Sequence, residues 1–463
     1  MDKNQLFERA LEFVTIPPNY ALKIKDYTHN RAIFMWGDEQ FNEGIEVVLD
    51  SNGQLRELTK PPYVAREEKS QDELRAAAEA FLTSQYPKAL QYITFTSAKK
   101  DKGSTIFQYD QLVGGYPLKH QNTRITVACD CEISAFSYGG YLEDAPPFPT
   151  ELADPYDIFA QLKKAPWKLT LQYLHEREQI EAKGLYPIYS CESLNKKYDA
   201  VTGVQIVDED EVELEEVIVP FPNVTPMEKL DTFEKMFGIA PDMVRERVEQ
   251  YDDDHVAIIW RKLGYKTCDD HSLSSFYEQS VGKSIKAKVE TKTGVVKTMM
   301  AFINRHGDLN LPHEACRDIA TSFITTYYAD YIPFLKMAVE EATFNDMIIA
   351  HFTFPLFMGD DLPIEGEYFR IGVNKTTGNI DQILTPIVPL AMLQSFEIES
   401  IQPLNKETAL AHVTAELQWI KQYKGDDARD VLVYKLQNIA PDVNKHFFIG
   451  IDARNGNAIY SSF

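Results

Sequence analysis

The sequence has few cysteines, no long apolar run and no excess of positive charge, and each shortage narrows the class of protein. Its 463 residues include five cysteines at irregular spacing, which favours reduced thiols over a disulfide framework. Lys and Arg number 47 against 70 Asp and Glu, so the formal net charge is −23. A nucleic-acid partner is disfavoured, because its phosphates would be repelled. No stretch reaches the roughly 18 to 20 apolar residues that cross a bilayer, so no transmembrane segment is expected.

A secretion signal is also missing from the sequence. The first twenty residues include Asp2, Lys3, Glu8 and Arg9, which interrupt any apolar core of signal-peptide length. The expected location is therefore the cytoplasm. The alternative that stays open is the cell envelope or secretion, for a chain whose signal has been removed.

Signatures of catalysis and of nucleotide binding are absent as well. His175-Glu176 and His313-Glu314 both lack the second histidine that a zinc-peptidase helix places one turn further on. Neither glycine-rich phosphate loop occurs, nor does the Gly-x-Ser-x-Gly turn of hydrolases. We therefore expect a protein that is not an enzyme and that uses no cofactor. The sequence leaves its oligomeric state open.

The sequence does contain a repeated motif. An alternating, strand-like segment is followed by an acidic or amide residue, a short polar run and a glycine. Asp or Asn caps its own backbone and Gly accepts a positive φ, so each copy predicts a hairpin turn between antiparallel strands. The turn residues are Asp50 with Gly53, Asp199 with Gly203, Glu290 with Gly294, Asn374 with Gly378, and Asp452 with Gly456. A sixth copy ends in Asp130-Cys131-Glu132 and has no glycine.

The spacing of these turns indicates a duplication. Gly53 and Gly294 are 241 residues apart, and Gly203 and Gly456 are 253 apart. Six units follow from this: residues 1–60, 61–148 and 149–206 in one half, and 225–303, 304–392 and 393–463 in the other. The acidic stretch 207–224 is either a connector or a strand with a solvated acidic face.

Each unit is predicted to place a helix before its strands. Helix starts are indicated at Ser70, at Asp154-Pro155, at Thr225-Pro226, at Pro312 and at Asn405, each followed by apolar residues three and four apart. The strands alternate, so one sheet face is buried and the helix is its natural cover. The fold class is therefore α+β, with a helix packed on a small antiparallel sheet in each unit.

These units resemble a known family. Phe107-Gln-Tyr109 with Gly115-Tyr-Pro117-Leu118, and the turns at Asp199 and Asp452, are similar to PepSY-like domains, which are found in propeptides of thermolysin-type metalloproteases. Their tandem arrangement resembles the YcdB/YcdC repeat proteins of Bacillus and relatives over nearly the whole chain. The resemblance implies no catalytic residues, and it implies a binding or inhibitory module associated with peptidases. Cys131-Glu132 in place of a turn glycine, and the missing signal, depart from the pattern.

Aromatic residues supply the first candidate site. Tyr327 and Tyr331 belong to a dense run that follows a helical pattern, and Phe354 and Phe357 belong to an alternating segment. Core packing is the favoured interpretation. The functional alternative is an aromatic groove that receives an extended peptide at an exposed sheet edge.

The second candidate is a metal site. Asp252, Asp254 and His255 lie a little before Cys268 and His271, and carboxylate, imidazole and thiolate bind a divalent ion when a fold gathers them. A polar loop before a strand is the favoured interpretation, since residues 252–254 are predicted to lie at a helix-to-strand junction and acidic turn residues are common.

The expected function is binding of a protein or peptide, in a role that restrains or escorts a peptidase. Two alternatives stay open. One is an intracellular scaffold with an unrelated partner, which the acidic charge favours. The other is a metal-dependent hydrolase built on the second candidate site.

Overall fold

The computed structural model describes residues 1–39, 43–61, 69–101, 103–164, 167–174, 183–190, 196–206, 217–265, 270–339, 348–398, 401, 403–405, 413–424, 427–438 and 446–462. These ranges contain seven α-helices and 25 strands. None of the helices found there is both long and apolar enough to cross a bilayer. The α+β class predicted from the sequence is confirmed.

The first two units form one body. Their helices are α1 Lys3–Leu11 and α2 Gln71–Gln85, followed by a short 3-10 helix at Ala89–Gln91. Both α-helices begin with a capping box, at Asp2 and at Ser70. The strands are β1 Ala21–Tyr27, β2 Arg31–Gly37, β3 Gly44–Asp50, β4 Leu55–Thr59, β5 Thr94–Asp101, β6 Ser104–Val113, β7 Tyr116–Ala128 and β8 Ile133–Tyr138.

The third unit and the connector follow. The third unit has helix α3 Pro155–Lys164 and strands β9 Lys168–Leu174, β10 Gly184–Ser190, β11 Lys197–Asp199 and β12 Gln205–Ile206. In the acidic stretch, residues 207–216 lie outside the described residues, and β13 Val217–Pro220 is a strand that pairs with β18 Lys336–Val339.

The second half repeats the order of the first. Its helices are α4 Phe233–Met236, α5 Leu273–Val281, α6 His313–Tyr327 and α7 Leu390–Ser395, with a 3-10 helix at Ala329–Phe334. Besides β18, its strands are β14 Met243–Asp252, β15 His255–Lys262, β16 Ser284–Glu290, β17 Val296–Ala301, β19 Ile349–Met358, β20 Leu362–Asn374, β21 Ile380–Leu384, β22 Val413–Lys424, β23 Asp427–Asn438, β24 His446–Asp452 and β25 Ala458–Ser462.

Sheet order shows the duplication directly. The first eight strands form an antiparallel sheet in the order β1-β2-β3-β4-β8-β7-β6-β5, so neighbouring units share one sheet through the β4–β8 pair. The second half runs β14-β15-β16-β17-β21-β20, with β19 paired to β20. The order β1-β2-β3-β4-β8-β7-β6 is therefore repeated strand for strand.

The two cores are also built alike. The buried residues of α2 (Leu74, Ala78 and Leu82) and those of α6 lie on one helix face, and each face covers its own sheet. At the end of each helix a buried tyrosine hydroxyl donates to the first carbonyl of the fourth strand: Tyr86 to Leu55, and Tyr328 to Val296 at 2.7 Å. Burial raises the pKa of both hydroxyls, so both tyrosines stay neutral donors.

Strands of the predicted third unit pair with strands of the predicted sixth unit. Strands β9 and β10 continue into β24 and β25 of the sixth unit, while β22 and β23 continue into β11 and β12 of the third. Strands β9, β10, β24 and β25 extend the second-half sheet through a parallel pair between β9 and β20, whereas β12, β11, β23 and β22 form a separate four-stranded sheet. Each of these two sets draws two strands from each half. Tyr198, Tyr434 and Trp419 share the core that results, and the Tyr434 hydroxyl donates to the Ala153 carbonyl at 2.9 Å. The halves are joined by paired strands as well as by chain connectivity.

The prediction of a helix that begins at Thr225-Pro226 is wrong for most of its length. Thr225-Pro226 indicates a helix through Phe237, yet α4 begins only at Phe233 and has four residues. The preceding segment is bound to α6 instead: the Met227 amide donates to Thr326 Oγ1 at 2.8 Å, and the Leu230 amide donates to the Tyr327 hydroxyl at 2.9 Å. Tertiary hydrogen bonds thus replace the bonds of the first helical turns. The helix predicted after Asn405 includes Ala409, Leu410, Val413 and Leu417. Residues 406–412 lie outside the described residues, and the end of this prediction is wrong, because Val413 and Leu417 lie in strand β22.

Candidate binding site

Five turns mark equivalent places in the fold. The glycines at 53, 203, 294, 378 and 456 all have φ between +69° and +82°. Each donates its amide to the carbonyl of the residue that opens its turn, at 2.8 to 3.0 Å: Asp50, Asp199, Glu290, Asn374 and Asp452. Four of these openers, all but Glu290, also accept backbone amides on their side chains.

The sixth turn has a different register from the one the sequence indicates. The Ala128 amide donates to the Glu132 carbonyl, so Ala128 holds the opening place and Asp130 lies inside the turn. Cys131 takes the glycine place with φ +73°. A residue with a Cβ therefore adopts the left-handed conformation here.

A pocket of about 460 Å³ opens beside the Glu290 turn in the second half. One wall is the segment before and within α4, from Lys229 to Glu234, with Met236. The opposite side is the turn itself and the start of β17. Tyr327 and Tyr328 at the end of α6, and Arg245 on β14, complete the lining. The pocket therefore has an apolar floor and a charged entrance.

The equivalent place in the first half is filled by the chain itself. Met1 packs its sulfur over Gly53, and its amino group donates to the Ser51 carbonyl at 3.0 Å. Arg9 Nε reaches the Gly53 carbonyl at 3.4 Å. At Gly294 no described heavy atom comes within 4 Å of where a Cβ would stand. Met1 and Arg9 therefore occupy the place beside the first-half turn, whereas the equivalent place beside Gly294 faces the pocket.

Charge at the pocket entrance is organised by Glu234. Its Oε1 accepts from Trp260 Nε1 at 2.9 Å and from Arg245 Nη2 at 2.6 Å, and the Arg245 guanidinium lies 5.7 Å from the Trp260 ring. Partial burial would raise the pKa of Glu234, but these two hydrogen bonds prevail and lower it. The entrance therefore presents a fixed carboxylate–guanidinium pair at neutral pH.

The four aromatic candidates do not form one surface. Phe354 is fully buried and packs on Phe221 with ring centroids 5.6 Å apart, so it lies in the core and not in an open groove. Phe357 is partly buried, with Lys336 Nζ 4.3 Å from its ring. Tyr331 is partly buried against Phe369, and burial raises its pKa to about 12. Tyr327 alone of the four lines the pocket.

The metal candidates are divided between two places. Asp252 and His255 close the β14–β15 hairpin, so the helix predicted before Asp252 is wrong and strand β14 takes its place. Asp252 Oδ1 lies 2.6 Å from His255 Nδ1, and Lys288 and Lys292 form ion pairs with Asp252 and Asp254 at 3.0 Å. The hydrogen bond with His255, together with Lys288, holds the pKa of Asp252 far below its usual range. His271 lies past the other end of β15, where its carbonyl accepts the Lys25 amide at 2.6 Å.

A metal site is not assembled from the part of the chain that the structure describes. No group of three or more His, Cys, Asp or Glu side chains is close enough there to hold an ion. Cys268 lies outside the described residues, so the five-residue cluster stays a prediction.

Sequence reasoning missed most of the pocket. Lys229 and Glu234 lie in the segment predicted as a helix from Thr225-Pro226, and nothing in the local pattern of Arg245 marked it as a pocket residue. The duplication could have located this pocket. The segments that end at Trp36 and Trp260 are similar, and aligning these two residues places residues 225–237 over α1. Any difference between those two segments then marks where the halves diverge.

Comparison with known proteins identifies the family. The sequence profile of the YcdB, YcdC repeated domain matches residues 3–140 and 227–383, which are the two equivalent bodies described above. The chain therefore belongs to the family of YcdB/YcdC repeated-domain proteins, and the resemblance seen in the sequence is confirmed.

Relatives extend over nearly the whole chain. YcdB of Bacillus subtilis (strain 168) is 26% identical, covering 99% of this chain and 98% of its own length. YcdC of the same strain is 25% identical, covering 94% and 96%. Both are described as uncharacterized. Among solved structures, the Bacillus megaterium YpeB C-terminal domain is similar over 44% of this chain and 95% of its own length, with 11% identity and a TM-score of 0.27.

Proposed function

We propose that this chain is a non-catalytic protein-binding repeat protein that receives a segment of another protein in the second-half pocket. The observation that carries the proposal is the contrast between the turns at Gly53 and Gly294. The first is covered by Met1 and Arg9, and the second faces an open pocket of about 460 Å³.

The first half indicates the chemistry of such a segment. An apolar side chain fills the place beside the turn, as Met1 does, and a basic group donates to the glycine carbonyl, as Arg9 does. The apolar floor at Val295 and Val296 suits the former. A basic group also suits the acidic chain, whose charge of −23 attracts a cationic segment.

Peptidases are the partner class that we favour, in a restraining or escorting role. The support is the resemblance of the repeats to PepSY-like modules of peptidase propeptides. A bound segment would act by occupying the pocket, with no bond made or broken by this chain.

The test compares two matched substitutions. Thr293→Trp fills the pocket beside Gly294, and Asn52→Trp places the same ring at the equivalent position before Gly53. Tagged chains capture partners from cell extract and culture medium of the source organism, and mass spectrometry identifies those retained over a tag-only control. A partner held by the wild-type chain and by Asn52→Trp but lost with Thr293→Trp supports the proposal.

Two results would count against it. One is a partner that Thr293→Trp retains in full, since the pocket is then not the site. The other is a captured peptidase whose turnover is unchanged by the purified chain, which removes the restraining role. Thermal unfolding of both variants shows that each is folded.

A further inference from the structure

The outer edge of β14 is open where its counterpart in the first half is closed. The edge strand β1 is met by α5, whose Leu273 and Phe276 pack on Ile24 of that sheet, and the Lys25 amide is bound by the His271 carbonyl. Helix α5 is an insertion between β15 and β16, whereas only residues 38–43 connect β2 to β3. Strand β14 ends its sheet, and among the described strands only β15 pairs with it.

The open strand carries exposed apolar residues. Nine of its ten residues are exposed. Among them are two large apolar side chains, Val248 at 54% and Tyr251 at 65% exposure. Val248 lies opposite the buried Ile258 of β15, so the sheet continues on its inner side and stops on its outer side. An edge of this kind is a template for another strand.

The charged side chains along β14 are complementary to those of a second copy of β14. Residues 245 to 251 read Arg-Glu-Arg-Val-Glu-Gln-Tyr, so two cations and two anions alternate in an otherwise acidic chain. In an antiparallel pairing of this segment with itself, centred on Val248, each Arg247 faces a Glu249 and Val248 faces Val248. Glu246 then faces Gln250, and Arg245 faces Tyr251. Opposite charges across a strand pair stabilise it, and like charges destabilise it.

Neighbouring registers do not share this match. Centring on Arg247 sets that guanidinium against its own copy, and centring on Glu246 sets Arg245 against Arg247. The ladder with β15 is irregular between Arg245 and Arg247 and again between Gln250 and Asp252, and it is regular from Arg247 to Gln250. The matched register is therefore centred on the regular part of the strand.

We propose that a second copy of this chain pairs with β14 through this edge, in antiparallel register centred on Val248, and joins the two second-half sheets into one. The site adjoins the protein-binding pocket, because Arg245 of β14 lines that pocket, but the dimer uses the backbone edge of the strand and is centred on Val248, which does not line the pocket. The proposal stands whether or not the pocket binds a partner.

Charge reversal on the full chain tests the proposal. Arg247 and Glu249 side chains are 59% and 53% exposed, so substitution leaves the core untouched. Sedimentation velocity over a concentration series is expected to show the wild-type chain moving from one mass to twice that mass. In the proposed register, residue 247 of each copy faces residue 249 of the other, so Arg247→Glu or Glu249→Arg alone creates two facing pairs of like charge. Each substitution should therefore raise the Kd of the dimer about tenfold.

Mixing the two charge-reversal variants is the most discriminating experiment. The Arg247→Glu chain carries two anions at the paired positions and the Glu249→Arg chain carries two cations, so an equimolar mixture is expected to form a heterodimer that neither variant forms with itself. Lys99→Glu on the first-half edge strand β5 is the matched control and should associate like the wild type. A wild-type chain that stays at the mass of one copy, single reversals that leave association unchanged, or a mixture that stays monomeric would each overturn the proposal.

Discussion

The two halves of this chain are built to one plan and differ most where their first helices lie. Both sheets follow one strand order, and both close the second helix with a tyrosine bonded to the fourth strand. The first helix has nine residues in one half and four in the other. At this place the second half has a pocket, and the first half has Met1 and Arg9 against the equivalent turn.

A second difference concerns how the halves are held. The inserted α5 covers the first-half edge, and the paired strands of the third and sixth units tie the halves together. Both devices involve residues far apart in the chain. The edge strand β1 of the first half is therefore covered by α5, whereas β14, its counterpart in the second half, is paired only with β15 among the described strands.

The largest expected difference between the halves is at Arg305. Its Nε donates to Asp381 Oδ1 at 2.6 Å and its Nη2 to the Ile380 carbonyl at 2.7 Å, and the Asp381 side chain is only 2% exposed. Arg305→Ala should cost about 3 to 5 kcal/mol in urea unfolding, because a buried carboxylate loses its cation. Ser134 holds in β8 of the first half the place that Asp381 holds in β21, and Ser134→Ala should cost less than about 1 kcal/mol.

Removing the charge as well should recover part of that loss. The double variant Arg305→Ala with Asp381→Ser copies the first-half residue and leaves no buried anion. If Arg305→Ala proves no more costly than Ser134→Ala, the ion pair does not distinguish the halves.

At high pH the two halves should behave alike. Burial raises the pKa of Tyr138 in the first half and of Tyr331 in the second, each to about 12. Unfolded tyrosine titrates near pH 10, so the folded chain keeps protons that the unfolded chain loses, and stability should fall from about pH 10 towards pH 12. Each tyrosine accounts for up to about 1 kcal/mol of the loss at pH 11.

Unfolding in urea at about pH 9 and about pH 11 measures the effect. Tyr138→Phe and Tyr331→Phe should each reduce the pH dependence by a similar amount. A reduction confined to one variant would show that the two tyrosines are not equally enclosed.

The smallest expected effect has opposite signs in the two halves. Cys131 has φ +73° at a place where the second half has Gly378 at +74°. Cys131→Gly should stabilise the chain by about 0.5 to 1 kcal/mol, and Gly378→Ala should destabilise it by about 1 kcal/mol, because a Cβ is strained in this conformation. Thermal unfolding of the two variants checks the signs, and shifts in the same direction would contradict the assigned register of the sixth turn.

Local signals in the sequence predicted much of this fold. The capping residues Ser70 and Asp154 and the turn glycines act within a few residues, so helix starts, hairpins and the duplication could be read from the chain. The shortness of α4 could not, since it depends on hydrogen bonds from Met227 and Leu230 to α6, almost a hundred residues away.

The candidate site was predicted less well for the same physical reason. Aromatic spacing does not distinguish Phe354 in the core from Tyr327 at a pocket, because both obey the period of their element. The pocket is recognised only when the second half is compared with the first, where Met1 and Arg9 occupy the equivalent place. The strand pairs between the third and sixth units join residues more than 200 positions apart. Neither is a property of any local stretch of sequence.

Hydrogen exchange on the chain with its captured partner tests the central claim most directly. If the second-half pocket is where a partner binds, amides in residues 227–236 and 293–296 should exchange more slowly in the complex, while those in residues 50–55 keep their rates. Slower exchange at the first-half turn, or protection confined to surfaces away from both turns, would contradict the account.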